Sequence, residues 1–193
     1  EVHSTGLDIS TTGRDVAVIF GDGAAAVCLE AADGADGVLA SALHADGSLA
    51  RSLMTEAPAS CLNPRLDEAM LAEGRHYPVM DGRNIFKTAV RRLPMVTQEV
   101  LGKAGLPLDA VDLFIPHQAN MRINQAFAKA LDLPDDKVFH NIQRYGNTTA
   151  ASIPLALDEA LETGVIGAGS TVVFLGLGAG VTWGAVLYRF PES

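Results

Sequence analysis

The chain has 193 residues, of which 48% are hydrophobic, and it carries a formal charge of −9 and two cysteines. This length and apolar content support a domain with a sizeable core, whereas the negative charge argues against general affinity for nucleic acid. No apolar run approaches the roughly 20 residues of a membrane span and no signal peptide opens the chain, while two cysteines in unlike settings favour a reducing cytoplasm over a disulfide framework.

The N-terminal part of the chain predicts three strands and a short helix. Residues 16–20 and 24–29 are apolar runs on either side of a glycine-rich turn, and both predict buried strands. Cys28 falls in the second run, where we expect a buried thiol that behaves as a small hydrophobe. A further strand is predicted at residues 38–42, followed by a long polar excursion with a helix near residues 66–71.

The middle of the chain predicts two amphipathic helices separated by a strand. Residues 83–103 carry an apolar stripe at helical spacing, and Pro94 inside it predicts a kink or a break. Residues 113–116 predict a short buried strand, residues 121–131 a helix, and residues 138–139 a brief strand.

The C-terminal part predicts one more helix and two strands. The helix covers about residues 150–162, and the strands cover residues 171–175 and 183–190 around a glycine-rich turn. Together the elements predict an α/β protein with a mixed sheet and helices packed against it.

Two polar motifs lie where a predicted strand or loop passes into a helix. His117 lies within Pro116-His117-Gln118-Ala119-Asn120, and Asn147 lies within Tyr145-Gly146-Asn147-Thr148-Thr149-Ala150-Ala151-Ser152. An isolated histidine fits a satisfied polar group near a core, and an Asn after Gly fits a turn. A neutral imidazole and an amide are also hydrogen-bond donors, and such junctions hold reactive side chains in α/β folds.

These motifs resemble those of the β-ketoacyl-acyl-carrier-protein synthase III family. The resemblance continues through Gly21-Asp22-Gly23-Ala24-Ala25-Ala26-Val27, through Met80-Asp81-Gly82 with Ile85-Phe86-Lys87, and through Gly178-Ala179-Gly180-Val181-Thr182-Trp183-Gly184. It implies a thiolase-like α/β fold, in which two halves pack into five αβαβα layers. Residues 1–43 would be the tail of the N-terminal half, and residues 44–193 would be the C-terminal half.

The resemblance also implies a chemistry for the site. His117 and Asn147 would stabilise the enolate left when a malonyl thioester loses carbon dioxide, and the backbone N–H of Ala179 would be one arm of an oxyanion hole. Phosphopantetheine would pass Gly82, Phe86 and Asn120. Coenzyme A thioester and the phosphopantetheine of acyl carrier protein are substrates in this family, so we expect no metal or other cofactor.

The family's nucleophile is a cysteine in its N-terminal half, and neither cysteine of this chain fits that role. Cys28 lies in a predicted buried strand, and Cys61 lies in a polar loop without an activating neighbour in sequence. The chain begins with Glu1 and corresponds to the C-terminal half of the family's enzyme. We therefore expect a missing N-terminal half, and no condensing activity from these residues alone.

Basic residues on the two middle helices suggest a docking site for an acidic partner. Lys87, Arg122 and Lys129 fall where the resemblance places residues that receive acyl carrier protein. A solvated charged face is the plain alternative for each helix.

The leading hypothesis is the C-terminal catalytic part of an acyltransferase. The family's enzyme condenses acyl-CoA with malonyl-carrier protein to initiate fatty-acid synthesis, as a cytoplasmic homodimer. One alternative is a non-catalytic ketosynthase-like subunit that binds carrier protein. Another is a related condensing enzyme of secondary metabolism.

Overall fold

The computed structural model describes residues 2–31, 34 and 36–192. In this part of the chain the helices, in chain order, are α1 (Arg14–Ala17), α2 (Glu68–Ala72), α3 (Gly82–Ala104), α4 (Met121–Ala130), α5 (Ile142–Tyr145) and α6 (Ser152–Glu162). The strands are β1 (Gly37–Ala45), β2 (Leu53–Thr55), β3 (Pro78–Met80), β4 (Leu113–Pro116), β5 (Thr171–Gly178) and β6 (Thr182–Arg189).

Four of the strands form a mixed sheet in the order β1-β6-β5-β4. Strand β6 runs antiparallel to both β1 and β5, whereas β4 and β5 are parallel, with Leu113 opposite Val172. Strands β2 and β3 form a separate antiparallel pair. The predicted mixed sheet with packed helices is confirmed.

Strand β4 is buried on both faces, and its alternate residues belong to different apolar clusters. Leu113 and Ile115 pack with Ala156 and Ala160 of α6. Phe114, between them in the strand, packs into the cluster formed by α3 and α4 and meets the ring of α4 Phe127 edge-on. Because successive side chains of a strand point to opposite faces, the short apolar run of β4 fills two cores at once.

Helix α3 is continuous through Pro94, so the break that the sequence allowed does not occur. A proline inside a helix removes one backbone hydrogen bond and brings its ring against the carbonyl of residue i−4, so packing must offset that cost. The apolar residues on both sides of Pro94, including Leu93 and Val96, are buried, and their packing holds the helix together. Asp81 caps the start of the helix by accepting the backbone N–H of Asn84 at its carboxylate, and Gly105 caps the end in a left-handed conformation.

The two strands predicted at residues 16–20 and 24–29 are wrong. The first region overlaps the last two residues of helix α1, and only Phe20 in it forms a bridge, with Asn147. The second region has no regular structure, and both Leu29 and Cys28 are exposed. An apolar run forms a strand only where neighbouring backbone completes the ladder. Within the described residues, these runs find that one bridge.

Most other predicted elements are confirmed, with boundaries moved by a few residues. These are the strands at residues 38–42, 113–116, 171–175 and 183–190 and the helices at residues 66–71, 83–103, 121–131 and 150–162. The strand predicted at residues 138–139 is a single bridge between Val138 and Phe114. None of the helices among the described residues has the length and apolar character that crossing a bilayer requires.

The three-residue strands β2 and β3 and the one-turn helix α5 were not predicted from the sequence. The division of the chain into residues 1–43 and 44–193 stays a prediction. Strand β1 spans that boundary and pairs along its length with β6.

Candidate active site

A cavity of about 1790 Å³ lies against the carboxyl end of β4 and the turn between β5 and β6. His117, Asn147 and Ala179 all line it, as do Phe86 and Asn120. The elements that carry these residues are far apart in sequence, and the fold brings them to one cavity. Its volume exceeds that of most small-molecule sites.

His117 follows the last residue of β4 directly. Its backbone N–H donates to the carbonyl of Leu175 at 2.6 Å, which continues the β4–β5 pairing by one residue. The largely buried side chain therefore leaves the sheet at a fixed point. Its Nδ1 atom lies 2.6 Å from the hydroxyl oxygen of Ser152, the first residue of α6.

The imidazole of His117 is uncharged at neutral pH. Burial disfavours the charged form and lowers its pKa from the ordinary 6.5 to about 4. A neutral imidazole carries one ring proton, so one nitrogen donates a hydrogen bond and the other accepts. His117 can therefore present a donor to the cavity without bringing a charge.

Gln118 fixes the loop that carries His117. The side chain is 1% exposed, and its amide nitrogen donates to the carbonyls of Pro116 at 2.7 Å and Phe139 at 3.2 Å. Its amide oxygen accepts the backbone N–H of Asn141 at 3.1 Å. One buried side chain thus ties the end of β4 to the segment that precedes α5.

Asn147 is held by its backbone and by one side-chain atom. The backbone N–H donates to Ile19 and the backbone carbonyl accepts from Gly21, both at 2.9 Å. The side-chain oxygen accepts the backbone N–H of Thr149 at 2.8 Å. An N–H can only donate, so this bond identifies the amide oxygen, and the amide nitrogen stays a donor with no bonded partner among the described residues.

The glycines around Asn147 let two segments approach closely. A Cβ at Gly21 would lie 2.0 Å from the carbonyl oxygen of Tyr145, so no larger residue fits. Gly146 has φ +68°, a conformation that side chains disfavour. Asp22, between Gly21 and Gly23, accepts the hydroxyl and the backbone N–H of Ser4, and these bonds lower its pKa.

Ala179 occupies the turn between β5 and β6. Among the described non-glycine residues, only Asp132 and Thr149 have a positive φ. Ala179 therefore has an ordinary backbone conformation. The neighbouring Gly180 takes φ +127° instead. The alanine side chain is therefore accommodated without strain at this position.

The residues predicted to line a phosphopantetheine path all border the cavity. Gly82 opens α3, and Phe86 lies one turn further along the same helix. Asn120 caps α4 by accepting the backbone N–H of Arg122 at 2.9 Å.

The three basic residues predicted to receive a carrier protein, Lys87, Arg122 and Lys129, are exposed. Arg122 borders the cavity. The ion pairs found among the described residues involve other cations, so these three charges face solvent.

Neither cysteine is among the cavity-lining residues, and both thiols are exposed. Residues 2–31, 34 and 36–192 contain no group of three or more His, Cys, Asp or Glu side chains arranged to hold a metal ion. His117, Asn147 and the backbone of Ala179 offer neutral hydrogen-bond donors to the cavity.

Sequence reasoning did not assign roles to the residues that orient the two donors. These are Ser152, which contacts Nδ1 of His117, Thr149, which donates to the side-chain oxygen of Asn147, and Gln118, which holds the loop that carries His117. The signal available was the place of all three inside the two motifs, but sequence does not show which atoms meet.

Two family models match the chain. One, described as 3-oxoacyl-[acyl-carrier-protein (ACP)] synthase III C terminal, matches residues 101–190, and the other, 3-oxoacyl-[acyl-carrier-protein (ACP)] synthase III, matches residues 1–47. The two matches together cover more than half of the chain. They include both polar motifs and the turn that bears Ala179.

Individual proteins agree with the family models. The chain is 44% identical to a beta-ketoacyl-[acyl-carrier-protein] synthase III of Aquifex aeolicus over 92% of its own length and 52% of the relative's. It is also 44% identical to one from Roseiflexus castenholzii, with 96% and 56% covered. It therefore spans about half the length of these curated relatives.

A solved structure shows the same likeness in three dimensions. The 3-oxoacyl-(acyl carrier protein) synthase III from Pseudomonas aeruginosa superposes with a TM-score of 0.84 at 39% identity, covering 97% of this chain and 55% of the other. The predicted thiolase-like α/β fold is confirmed.

Proposed function

The chain belongs to the 3-oxoacyl-[acyl-carrier-protein] synthase III family, and from this premise we propose that it supplies the decarboxylating part of a condensing enzyme's active site. The enzyme would be an acyltransferase that joins an acyl group from acyl-CoA to a malonyl unit on acyl carrier protein, initiating fatty-acid synthesis. The chain's share of this reaction is the step in which the malonyl thioester loses carbon dioxide.

The observation that carries the proposal is a pair of uncharged donors that border one cavity. In each side chain, a second polar atom is fixed by a hydrogen bond to another residue. His117 is held at Nδ1 by Ser152, and Asn147 is held at its amide oxygen by Thr149. When the bond to the carboxylate of a malonyl thioester breaks, its electron pair moves toward the thioester oxygen. Preorganised N–H donors stabilise that developing oxyanion because they need no reorientation during the reaction.

The remaining cavity residues fit supporting roles. The backbone N–H of Ala179 would act in an oxyanion hole during attack on the acyl-enzyme. Gly82, Phe86 and Asn120 would contact phosphopantetheine or coenzyme A, whose thioester must reach His117. No metal or redox cofactor enters this scheme. The loss of carbon dioxide and the attack on the acyl-enzyme both place negative charge on a thioester oxygen, where hydrogen-bond donors can stabilise it.

An acidic carrier protein meets a chain of net charge −9, so docking needs a local positive surface. Lys87, Arg122 and Lys129 are exposed and unpaired among the described residues, which supports them as that surface. We place the enzyme in the cytoplasm as a homodimer, completed by a nucleophilic cysteine outside this chain.

One observation favours a second candidate, a non-catalytic subunit that binds carrier protein. Neither Cys28 nor Cys61 lines the cavity, so neither thiol of this chain is placed to carry the acyl group there. Such a subunit would keep the basic surface, but it would not need two oriented donors in a cavity.

The test separates the two half-reactions in an enzyme of the relatives' full length that carries this segment. His117→Ala and Asn147→Ala should each slow malonyl decarboxylation by about 10²–10³, the usual cost of one preorganised donor. Acyl transfer from acyl-CoA should continue, and His140→Ala, outside the cavity, should leave both steps unchanged. Normal decarboxylation in either cavity variant would refute the roles and favour the binding subunit.

A further inference from the structure

Ser152 lies directly behind the catalytic face of His117. The side chain is 2% exposed, and its hydroxyl oxygen is 2.6 Å from Nδ1 of His117. The same oxygen accepts the backbone N–H of Gln118 at 3.2 Å. The hydroxyl therefore contacts both the ring and the backbone of the residue that follows it.

The position of the hydroxyl proton follows from counting donors and acceptors. The Gln118 N–H can only donate, so the hydroxyl oxygen is the acceptor in that bond. No acceptor other than Nδ1 is hydrogen-bonded to the Ser152 hydroxyl within the described part of the chain. A buried donor left without an acceptor costs about 1–3 kcal/mol. The lowest-energy arrangement therefore directs the hydroxyl proton at Nδ1.

We propose that Ser152 is a positioning residue whose hydroxyl donates to Nδ1 of His117 and thereby keeps the ring proton on Nε2. An accepting Nδ1 carries no proton, so the single proton of the neutral imidazole resides on the other nitrogen. His117 then presents an N–H donor rather than a lone pair on the side away from Ser152.

The rest of the loop fixes this arrangement. The buried side chain of Gln118 is bonded to Pro116, Phe139 and Asn141, which immobilises the backbone N–H that holds the Ser152 oxygen. A hydroxyl whose oxygen is already occupied has less freedom to rotate its proton away from Nδ1. Without the serine, nothing in the described contacts of Nδ1 distinguishes the two tautomers.

The importance of this tautomer for catalysis rests on the proposed function, but the tautomer itself does not. The test is therefore ring-nitrogen NMR of the 193-residue chain with ¹⁵N-labelled histidine, in which His117→Gln identifies the signals of His117. We expect His117 to show a single Nε2–H form at pH 7. An Nδ1–H form in the unsubstituted chain would overturn the proposal.

Substitutions at position 152 test whether the Ser152 hydroxyl sets the tautomer of His117. Ser152→Ala should make signals of the Nδ1–H form appear, whereas Ser152→Thr should keep the Nε2–H form. Ser170→Ala is the matched control, because its hydroxyl also accepts a backbone N–H, from Gly167 at 3.0 Å, but lies outside the cavity. An unchanged tautomer in Ser152→Ala would overturn the role of the serine. If that variant does not fold, the unsubstituted chain still decides the tautomer.

Kinetics then separate this proposal from the proposed function. In an enzyme of the relatives' full length, Ser152→Ala should slow decarboxylation by about 10- to 100-fold, as for partners that orient the histidines of metal sites. The KM for malonyl-carrier protein should not change, and Ser152→Thr should restore the rate. A shifted tautomer with an unchanged rate would support the role of Ser152 in fixing the ring and refute the role of His117 in decarboxylation.

Discussion

The buried neutral imidazole of His117 makes the stability of the fold depend on pH, and His117→Gln isolates that dependence. In the folded chain the pKa is lowered from 6.5 to about 4 by burial. The unfolded chain therefore binds a proton between these values that the folded chain does not bind. The folded state is undisturbed above pH 6.5 and loses stability as the pH falls toward 4.

The magnitude follows from the difference between the two pKa values. Each pKa unit corresponds to about 1.4 kcal/mol, so the full loss for this one group is about 3 kcal/mol. Integrating over the titration gives a loss of about 2 kcal/mol between pH 7.5 and pH 5. A glutamine at position 117 keeps a polar side chain but has no proton to bind, so it should lack this loss.

The assay is urea unfolding of the two proteins at several pH values. The free energy of unfolding of the unsubstituted chain, relative to His117→Gln, should fall steadily below pH 6.5. His140→Gln is the control: burial also lowers the pKa of His140, but the Asp135 carboxylate opposes that effect, so the corresponding change should be smaller. A constant difference between the unsubstituted chain and His117→Gln from pH 7.5 to 5 would refute the buried neutral state.

Two further predictions test the surface and the turn around Asn147. Replacing Lys87, Arg122 and Lys129 with alanine should raise the KM for malonyl-carrier protein more than the KM for acyl-CoA. The control Arg65→Ala should leave both KM values unchanged. Because exposed charges are screened beyond about 10 Å at 0.1 M salt, the loss should shrink as salt is added, and a salt-independent loss would point to misfolding instead. Gly21→Ala should weaken the backbone hydrogen bonds between this segment and Asn147 at a cost of about 1–3 kcal/mol. The amide hydrogen of Asn147 should therefore exchange faster with solvent. In contrast Gly6→Ala, where nothing lies within 4 Å, should leave exchange unchanged, and equal exchange in both variants would show that the close approach is not needed.

The sheet and its helices could be predicted because the residue patterns that favour each element lie within that element's own sequence. The apolar spacing of α3 and α4 and the glycines after α3 and α6 define elements whose buried faces are visible in the sequence. The strands expected at residues 16–20 and 24–29 failed for the opposite reason. Their composition is that of buried strands, but a strand also needs a neighbour, and composition does not show whether one is present.

The candidate site divides in the same way. His117 and Asn147 could be proposed from the sequence because each stands in a motif beside a helix start, and their catalytic roles stay predictions. The atoms that orient them were not found, because the contact between His117 and Ser152 joins two motifs that meet only in the folded chain. The burial that keeps His117 uncharged is likewise a property of the assembled core and not of any segment.

The sheet pairs strands that lie far apart in the sequence, and this determines the order in which it can form. Val38 of β1 pairs with Tyr188 of β6, which lies 150 residues further along the chain, and β6 also pairs with β5. A polypeptide leaving the ribosome has therefore made β1, α3 and β4 long before the strand that connects β1 to the sheet. Contacts between such distant segments form slowly, and β1 cannot join the sheet until β6 has been synthesised.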